Sequence, residues 1–320
     1  MLKVENLCKY YETNTGLFNK EKKYVKAVDN VSFEVVKGET LAIVGESGCG
    51  KSTTGRTILG LNDKTSGNVI FNGVNIHEIS KEELRQLRPK IQMIFQDPYS
   101  SLNPRMTAGQ IIGEALLEHN LADKTNIDEK VLEVAKNCGL SDYHLNRKPH
   151  EFSGGQRQRI GIARALALNP ELIVCDEPIS ALDVSIQSQI INLLVESQKK
   201  YNLSYLFISH DLSVVKHIAH RVAVMYLGSI VEIGSTEEIY SNPSHPYTKA
   251  LLSAIPIPDP TLKRERIVLK GDIPSPSNPP SGCKFHTRCP NCTDICKQVS
   301  PDYIKLNDNH SVACHLAEIQ

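Results

Sequence analysis

Two short glycine-containing motifs carry the chemistry that this sequence offers. Residues 45–52 read GESGCGKS, and residues 152–156, far downstream, read FSGGQ. In the first pattern, glycines allow backbone N–H groups to wrap a polyphosphate, the lysine amine reaches the outer phosphates, and the serine hydroxyl ligates Mg²⁺. The sequence therefore predicts a site for a nucleotide and Mg²⁺. The predicted nucleotide-binding residues of this loop are Gly45, Ser47, Gly48, Cys49, Gly50, Lys51, Ser52 and Thr53.

The second motif predicts another anion site. An apolar helical pattern follows it, so Ser153 and the amides of Gly154 and Gly155 are expected at a helix N-terminus, where backbone N–H groups and the helix dipole favour anions. One nucleotide does not need two such sites. The simplest explanation is that Ser153, Gly154, Gly155 and Gln156 of one chain complete the nucleotide site of another chain, with ATP between two head-to-tail subunits.

The elements around these motifs predict an α/β fold. An apolar strand at 40–44 precedes the loop and a helix at 51–60 follows it, which is the order that the motif requires. Later segments alternate in the same way, and such alternation predicts a parallel sheet with helices on both faces. The predicted strands lie at 91–95, 172–175, 204–208 and 221–227, and the predicted helices at 127–138, 160–167, 184–200 and 247–254.

Together these motifs resemble those of the ATP-binding cassette (ABC) ATPases. The resemblance implies an ABC-type P-loop domain over residues 1–240, with a mostly parallel core sheet, an antiparallel β subdomain and a helical subdomain at about 104–165. Residues 241–320 are expected to form a separate extension with a small, irregular, cysteine-rich tail. From residue 243 onward the chain carries 11 of its 17 prolines, and proline interrupts regular helices and sheets.

The resemblance also assigns catalytic roles. Asp176 and Glu177 end an apolar strand; the family places the first at Mg²⁺ and uses the second to polarise the attacking water. A solvated strand end is the alternative. Gln96 matches the glutamine that touches Mg²⁺ or the water, so Ser52, Gln96 and Asp176 are the expected Mg²⁺ ligands. His210 matches the histidine that reaches the γ-phosphate, and its alternative role is to cap a strand end.

Two further residues have competing interpretations. Asp183, in the segment SALD, resembles the residue that communicates with the partner subunit. It could also cap the helix that follows, and the two roles are compatible. Tyr11 lies where the family stacks an aromatic ring on adenine, with core packing as the competing role.

Three longer segments narrow the resemblance to the F-type ATPase subunit of oligopeptide and dipeptide permeases: FQDPYSSLNP at 95–104, EPISALDVSIQ at 177–187 and HPYTKALL at 245–252. This implies a heterodimer with a D-type ATPase subunit beneath two membrane permease subunits, fed indirectly by an extracellular peptide-binding protein. ATP-driven closure of the ATPase dimer would power import, at the cytoplasmic face of the bacterial membrane.

Two alternatives remain open at this stage. One is a soluble ABC ATPase of translation or DNA repair, although the chain has neither a second cassette nor a long coiled coil. The other is a permease for nickel, opine–metal complexes or other small cargo, because other subunits select the cargo.

Five of the nine cysteines cluster near the C-terminus. In a reducing compartment such clustering indicates metal binding rather than disulfides. By resemblance, Cys283, Cys289, Cys296 and Cys314 match the tail that holds a 4Fe–4S cluster, and Cys292 makes the ligand set ambiguous by one. Four thiolates suit zinc equally, and free thiols are a third alternative.

Composition limits the partners. The chain has 36 basic and 36 acidic residues and no basic run, which argues against nucleic acid as a partner. The start of the sequence lacks an apolar leader, and no 18 apolar residues run together, so we expect a peripheral, cytoplasmic protein.

Overall fold

The computed structural model describes residues 1–13, 22–256 and 266–317. Within this part of the chain, no helix is both long enough and apolar enough to cross a membrane. The chain divides into two compact units. The first comprises Met1–Glu34, Leu41–His77 and Ser209–Gln320, and the second Val35–Thr40 and Glu78–Ile208.

The elements are numbered here in chain order. The strands are β1 (Leu2–Thr13), β2 (Lys23–Val35), β3 (Thr40–Val44), β4 (Ser66–Phe71), β5 (Val74–Asn75), β6 (Ile91–Ile94), β7 (Leu172–Asp176), β8 (Ser204–Ser209), β9 (Arg221–Tyr226), β10 (Ser229–Ser235), β11 (Ile304–Asn307) and β12 (His310–Val312). The helices are α1 (Lys51–Ile58), α2 (Lys81–Leu87), α3 (Pro98–Ser101), α4 (Ala108–Glu118), α5 (Ile127–Asn137), α6 (Asp142–Leu145), α7 (Gly154–Ala167), α8 (Val184–Tyr201), α9 (Leu212–Ile218), α10 (Thr236–Ser241), α11 (Pro246–Ser253) and α12 (Asp294–Gln298). Short 3₁₀ helices lie at Arg88–Lys90 and Pro149–Glu151.

The first unit contains an antiparallel sheet with the order β2-β1-β4-β5. Its strands alternate between buried and exposed residues, as in β2, where Val31, Phe33 and Val35 are buried. This alternation is typical of a sheet with one face in the core. Strand β1 pairs with β4 so that Val4 lies opposite Val69.

The other strands of the first unit follow the order β11-β12-β10-β9-β3. Strand β3 runs parallel to β9, and the remaining pairs are antiparallel. All five residues of β3 are buried, as expected for a parallel strand with both faces covered. The phosphate loop starts directly after this strand, so its first residue is fixed by the core.

The second unit contains the parallel strands β8, β7 and β6 and most of the helices. Helix α7 packs against α4 and α5, and it buries Ile160, Ile162 and Leu166. Helix α4 begins with a capping box, in which Thr107 and Gln110 bond each other's backbone N–H groups. Such boxes satisfy amides that a helix start leaves unpaired.

Most predicted elements occur within one or two residues of the expected bounds, but two differ. The apolar pattern at 160–167 covers only the second part of helix α7, which starts at Gly154, where the serine–glycine motif predicts a helix N-terminus and where Ser153 and Gln156 form a capping box. The cysteine-rich tail contains helix α12 and a hairpin of β11 and β12, whose second strand pairs with β10. The domain boundaries near 240 and at 104–165 stay predictions.

Candidate nucleotide site

The phosphate loop takes a backbone path that requires glycine at two positions. Gly45 and Gly50 have positive φ values of 152° and 108°. A Cβ at Gly45 would lie 2.2 Å from the carbonyl oxygen of Met225, and a Cβ at Gly50 would lie 2.1 Å from that of Ala27. Side chains therefore cannot be accommodated there, which explains the glycine spacing of the motif.

Lys51 lies inside this loop. Its side chain is buried, and its ammonium group donates hydrogen bonds to the carbonyl oxygens of Gly45 at 2.7 Å and Glu46 at 3.0 Å. Helix α1 starts at Lys51, and its N-cap residue Gly50 makes no side-chain hydrogen bond. The loop thus combines a fixed cation with a helix N-terminus, and both attract phosphate. Ser52 and Thr53 lie in the first turn of the same helix.

His210 and Tyr11 also belong to the first unit. His210 is exposed and directly follows β8, while the next residue, Asp211, caps α9. Tyr11 is 39% exposed on β1, with the Lys9 ammonium 4.7 Å from its ring centroid. The ring is therefore not part of the core, so core packing does not account for Tyr11. Its stacking on adenine stays a prediction.

The second unit brings two predicted catalytic residues into contact. Asp176 ends β7 with no exposed surface. Glu177 follows with a φ of 46°, in the left-handed region, and its N–H donates to the carbonyl oxygen of Ile208 at 2.9 Å. The amide of Gln96 donates to a carboxylate oxygen of Glu177 at 3.0 Å. Gln96 can thereby orient the carboxylate that is expected to polarise water.

The serine–glycine motif forms the start of α7, as the sequence predicts. The Ser153 hydroxyl accepts from the Gln156 N–H at 3.3 Å, and the Gln156 side chain accepts from the Ser153 N–H at 3.1 Å. A Cβ at Gly155 would lie 2.5 Å from Cγ2 of Ile186. A Cβ at Gly154 would lie 3.3 Å from a methyl group of Leu182. The glycines therefore allow the helix start to approach the segment around α8.

Asp183 occupies the N-cap position of α8, but its side chain makes no capping hydrogen bond. The amide of Gln187 instead donates to the carbonyl oxygens of Ile179 and Leu182, at 3.2 and 3.0 Å. Asp183 is thus the N-cap residue by position, as the sequence predicts, but its side chain does not cap the helix. Its role in communication between subunits stays a prediction.

The cysteine cluster shows no metal site. Among the described residues, no group of three or more His, Cys, Asp or Glu side chains could hold a metal ion. Burial, with smaller contributions from charges on Cys296, Cys314 and Cys289, raises the pKa of Cys283 to about 11. The Cys283 thiol thus lies near the other three cysteines and is protonated near neutral pH. Thiolate donors would suit iron–sulfur or zinc chemistry, but the described geometry does not gather three of them.

Sequence reasoning missed the residues that hold the phosphate loop from outside. Arg288 binds the Glu46 carboxylate through two hydrogen bonds of 2.7 and 3.0 Å, and the Tyr247 hydroxyl accepts from the Glu46 N–H at 2.9 Å. The sequence does contain one signal, the carboxylate of Glu46 within a phosphate-binding loop, which requires a nearby cation. It does not indicate which of the basic residues supplies that cation.

The comparisons with known proteins agree with this site. Residues 28–180 match the family model "ABC transporter", and residues 231–296 match "Oligopeptide/dipeptide transporter, C-terminal region". The chain is 56% identical to the oligopeptide transport ATP-binding protein AppF of Bacillus subtilis, covering 99% of this chain and 97% of that protein. It is 51% identical to the probable peptide ABC transporter ATP-binding protein y4tS of Sinorhizobium fredii, covering 99% and 90%.

A solved structure supports the fold assignment. The dimeric post-hydrolysis state of the ATP-binding cassette MJ0796 with ADP and phosphate matches with a TM-score of 0.66 and 29% identity, over 74% of this chain and 99% of that chain. The expected ABC-type cassette fold is thereby confirmed. The chain belongs to the ATP-binding proteins of the ABC transporter family, which are ATPases.

Proposed function

We propose that this chain hydrolyses ATP to power the import of oligopeptides or dipeptides through a membrane permease. The observation that carries the proposal is full-length similarity to a protein named for oligopeptide transport, at 56% identity. The match of residues 231–296 to the C-terminal region of oligopeptide and dipeptide transporters adds to it. Soluble ABC ATPases of translation or repair, and carriers of nickel or other small cargo, have no comparable support.

Each site residue has a role in the proposed reaction. Lys51 and the loop amides bind the outer phosphates of ATP, and His210 binds the γ-phosphate. Ser52, Gln96 and Asp176 would hold Mg²⁺, which supplies charge neutralisation at the phosphates when bound. The glycine-lined loop suits a polyphosphate, and the buried Asp176 carboxylate at the end of β7 suits a divalent cation.

Glu177 and Gln96 act on the water. Glu177 polarises the attacking water as a general base, and Gln96 holds the carboxylate through their 3.0 Å hydrogen bond. General-base catalysis of this kind is efficient only when the base is held within hydrogen-bonding reach of the water. The contact between the two side chains supports this assignment.

The functional unit in this proposal is a heterodimer with a D-type ATPase subunit under two permease subunits, at the cytoplasmic face of the membrane. Ser153, Gly154, Gly155 and Gln156 of each ATPase complete the partner's nucleotide site, and Asp183 lies at the contact between the two. ATP binds preferentially to the closed dimer and so shifts the permease between its conformations. An extracellular binding protein delivers the peptide.

Uptake by the assembled transporter in proteoliposomes tests this function. With labelled oligopeptide and binding protein outside and MgATP inside, we expect uptake that Glu177→Gln abolishes. Glu196→Gln, at an exposed position of α8, is the matched control and is expected to transport normally. Active ATP hydrolysis without peptide uptake, or uptake of a nickel complex in its place, would overturn the peptide assignment.

We further propose that Cys283, Cys289, Cys296 and Cys314 bind a 4Fe–4S cluster, with zinc as the alternative. The support is the resemblance of the four-cysteine tail and the chemistry of thiolate donors, which suit both groups; the described residues themselves hold no group of three such donors at metal-binding distance. Anaerobically purified protein should contain about four irons and four acid-labile sulfides per chain. Cys283→Ser should lower both, whereas Cys292→Ser should not. Colourless protein with one zinc per chain would refute the cluster.

A further inference from the structure

The phosphate loop contains a carboxylate where a polyphosphate is expected. Glu46 is the second residue of the loop, and its side chain is 26% exposed. A carboxylate this close to the phosphate site repels an anionic ligand, and partial burial strengthens that repulsion because water screens it less. The loop can receive MgATP efficiently only if this charge is neutralised.

Arg288 neutralises it. Its guanidinium forms a bidentate salt bridge with the Glu46 carboxylate, with hydrogen bonds of 2.7 and 3.0 Å, and its side chain is only 7% exposed. Two parallel hydrogen bonds fix both the position and the orientation of the carboxylate. The guanidinium also lies 5.9 Å from the ring centroid of Tyr226. The arginine is therefore itself held in place.

A second contact holds the backbone of the same residue. The hydroxyl of Tyr247, from α11, accepts a hydrogen bond from the Glu46 N–H at 2.9 Å. Tyr247 is fully buried and packs on Tyr226 and Phe285, with ring centroids 4.8 and 5.4 Å apart. The backbone and the side chain of Glu46 are thus held by two residues from the C-terminal part of the chain.

The segment that carries Arg288 is anchored independently. Lys284 donates to Asp29 at 2.7 Å and to the hydroxyl of Ser229 at 2.6 Å. Phe285 is buried against Tyr226, with their rings edge to face. Because Lys284 and Phe285 are both bound to the first unit, the segment that carries Arg288 is held in place beside Glu46.

We propose that Arg288 and Tyr247 are positioning residues for nucleotide binding, which set the charge and the shape of the phosphate loop through Glu46. Neither side chain needs to touch the nucleotide. The proposal rests on the ATPase family of the chain and not on its cargo. It therefore stands or falls independently of peptide import.

Nucleotide binding to the full-length chain tests the role of Arg288. Arg288→Gln removes the salt bridge and leaves the Glu46 carboxylate without its cation. We expect the Kd for a fluorescent MgATP analogue to rise by about tenfold, because one uncompensated negative charge then lies near the phosphates. The Kd for the corresponding ADP analogue should rise less, because ADP carries less charge. Glu46→Gln alone removes the repelling carboxylate and leaves the Arg288 cation beside the loop, so its Kd for MgATP should fall below that of the unchanged chain.

The double variant separates positioning from a general loss of structure. Glu46→Gln in the Arg288→Gln background should restore the Kd to within about threefold of the unchanged chain, since no charge remains to repel the phosphates. Arg288→Lys, which keeps the positive charge but cannot form the bidentate salt bridge, should show an intermediate Kd. The difference in Kd between Arg288→Gln and the double variant should shrink as the salt concentration rises, because salt screens the Glu46 charge.

Lys305→Gln is the matched control, because it also removes one cation from the C-terminal part. Lys305 is exposed and, within the described residues, forms an ion pair only with the exposed Asp308, so its removal should leave the Kd unchanged. Unaltered MgATP binding by Arg288→Gln would overturn the proposal. So would equal weakening in the single and double variants, or equal weakening by Lys305→Gln.

Discussion

Glu177 has a backbone conformation that residues other than glycine rarely adopt. Its φ of 46° follows directly on the buried strand β7, and such a conformation costs on the order of 1 kcal/mol or more. The hydrogen bonds from its N–H to Ile208 and from Gln96 to its carboxylate hold it there. Asp176 is fully buried, whereas the Glu177 carboxylate accepts from Gln96, which agrees with separate roles for the two carboxylates.

Replacing Glu177 with Gln should separate binding from hydrolysis. The amide keeps the size of the side chain but cannot accept a proton, so we expect kcat to fall by about 10²-fold or more. The Kd for MgATP should stay within about twofold, because the phosphate loop is unaltered. Phosphate release measures the first quantity, and a fluorescent ATP analogue measures the second. A kcat equal to that of the control Glu196→Gln would remove Glu177 from the reaction.

At the level of single residues, sequence reasoning works where a motif is contiguous. The glycines and the lysine of residues 45–52 are recognisable because the motif itself dictates the loop. The contact between Glu46 and Arg288 joins residues 242 positions apart, and no local pattern encodes such a pair. The same holds for the hydrogen bond between Gln96 and Glu177, which only the arrangement of β6 and β7 brings about.

The glycines of the phosphate loop differ in what surrounds them, and this difference is testable. A Cβ at Gly45 would clash with the Met225 carbonyl at 2.2 Å, whereas a Cβ at Gly48 would meet nothing within 4 Å. Gly48→Ala should cost about 1 kcal/mol of stability from its positive φ alone. Gly45→Ala should cost several times more, because backbone must move. Urea unfolding of both variants gives the comparison, and equal costs would contradict the geometry.

Helix α11 starts with a buried histidine. His245 is 1% exposed, and its Nδ1 accepts from the Tyr247 N–H at 3.1 Å. Burial lowers the pKa of His245 from 6.5 to about 4, although the nearby Glu232 opposes this shift. The folded protein therefore holds the neutral imidazole, while the unfolded chain takes up a proton near pH 6.5.

This shift predicts that the protein becomes less stable as the pH is lowered. The contribution of His245 is fully present above pH 6.5 and is lost as the pH falls toward 4, by about 3 kcal/mol in total. His245→Asn, which can still cap the helix, should flatten the pH dependence in this window. His150→Asn, at an exposed position, should not. Denaturant unfolding at several pH values measures the effect, and parallel curves for the two variants would refute it.

At the level of elements, prediction succeeded where periodicity or composition is strong. The buried strand β3 and the amphipathic helix α5 are examples. The hairpin of β11 and β12 was missed, because strands of four and three residues carry too little pattern. Its place beside β10 depends on long-range pairing, with Glu232 opposite Val312. Prolines and cysteines in the surrounding sequence suggested irregular structure and outweighed this weak signal.

For the whole molecule, the proposed mechanism requires that two chains share each nucleotide. The phosphate loop and Lys51 belong to one compact unit of the chain, and the Ser153 motif belongs to the other. The Ser153 hydroxyl is engaged by the Gln156 N–H within its own helix start, and α7 presents its first-turn amides there as an anion site. A γ-phosphate held by Lys51 of one subunit and by the start of α7 of another would join the two.

Association driven by MgATP tests this arrangement. A hydrolysis-deficient chain, Glu177→Gln, mixed with the corresponding D-type variant and MgATP should sediment as a dimer, because the trapped nucleotide contacts both subunits. Adding Ser153→Arg should abolish dimer formation, because the longer side chain would occupy the space at the start of α7 where the γ-phosphate is expected. Nucleotide binding to the monomer should stay unchanged. Asn192→Arg, on the exposed face of α8, adds the same side chain elsewhere and should still dimerise. Dimers of the Ser153→Arg chain that form as readily as those of Asn192→Arg would exclude a shared γ-phosphate.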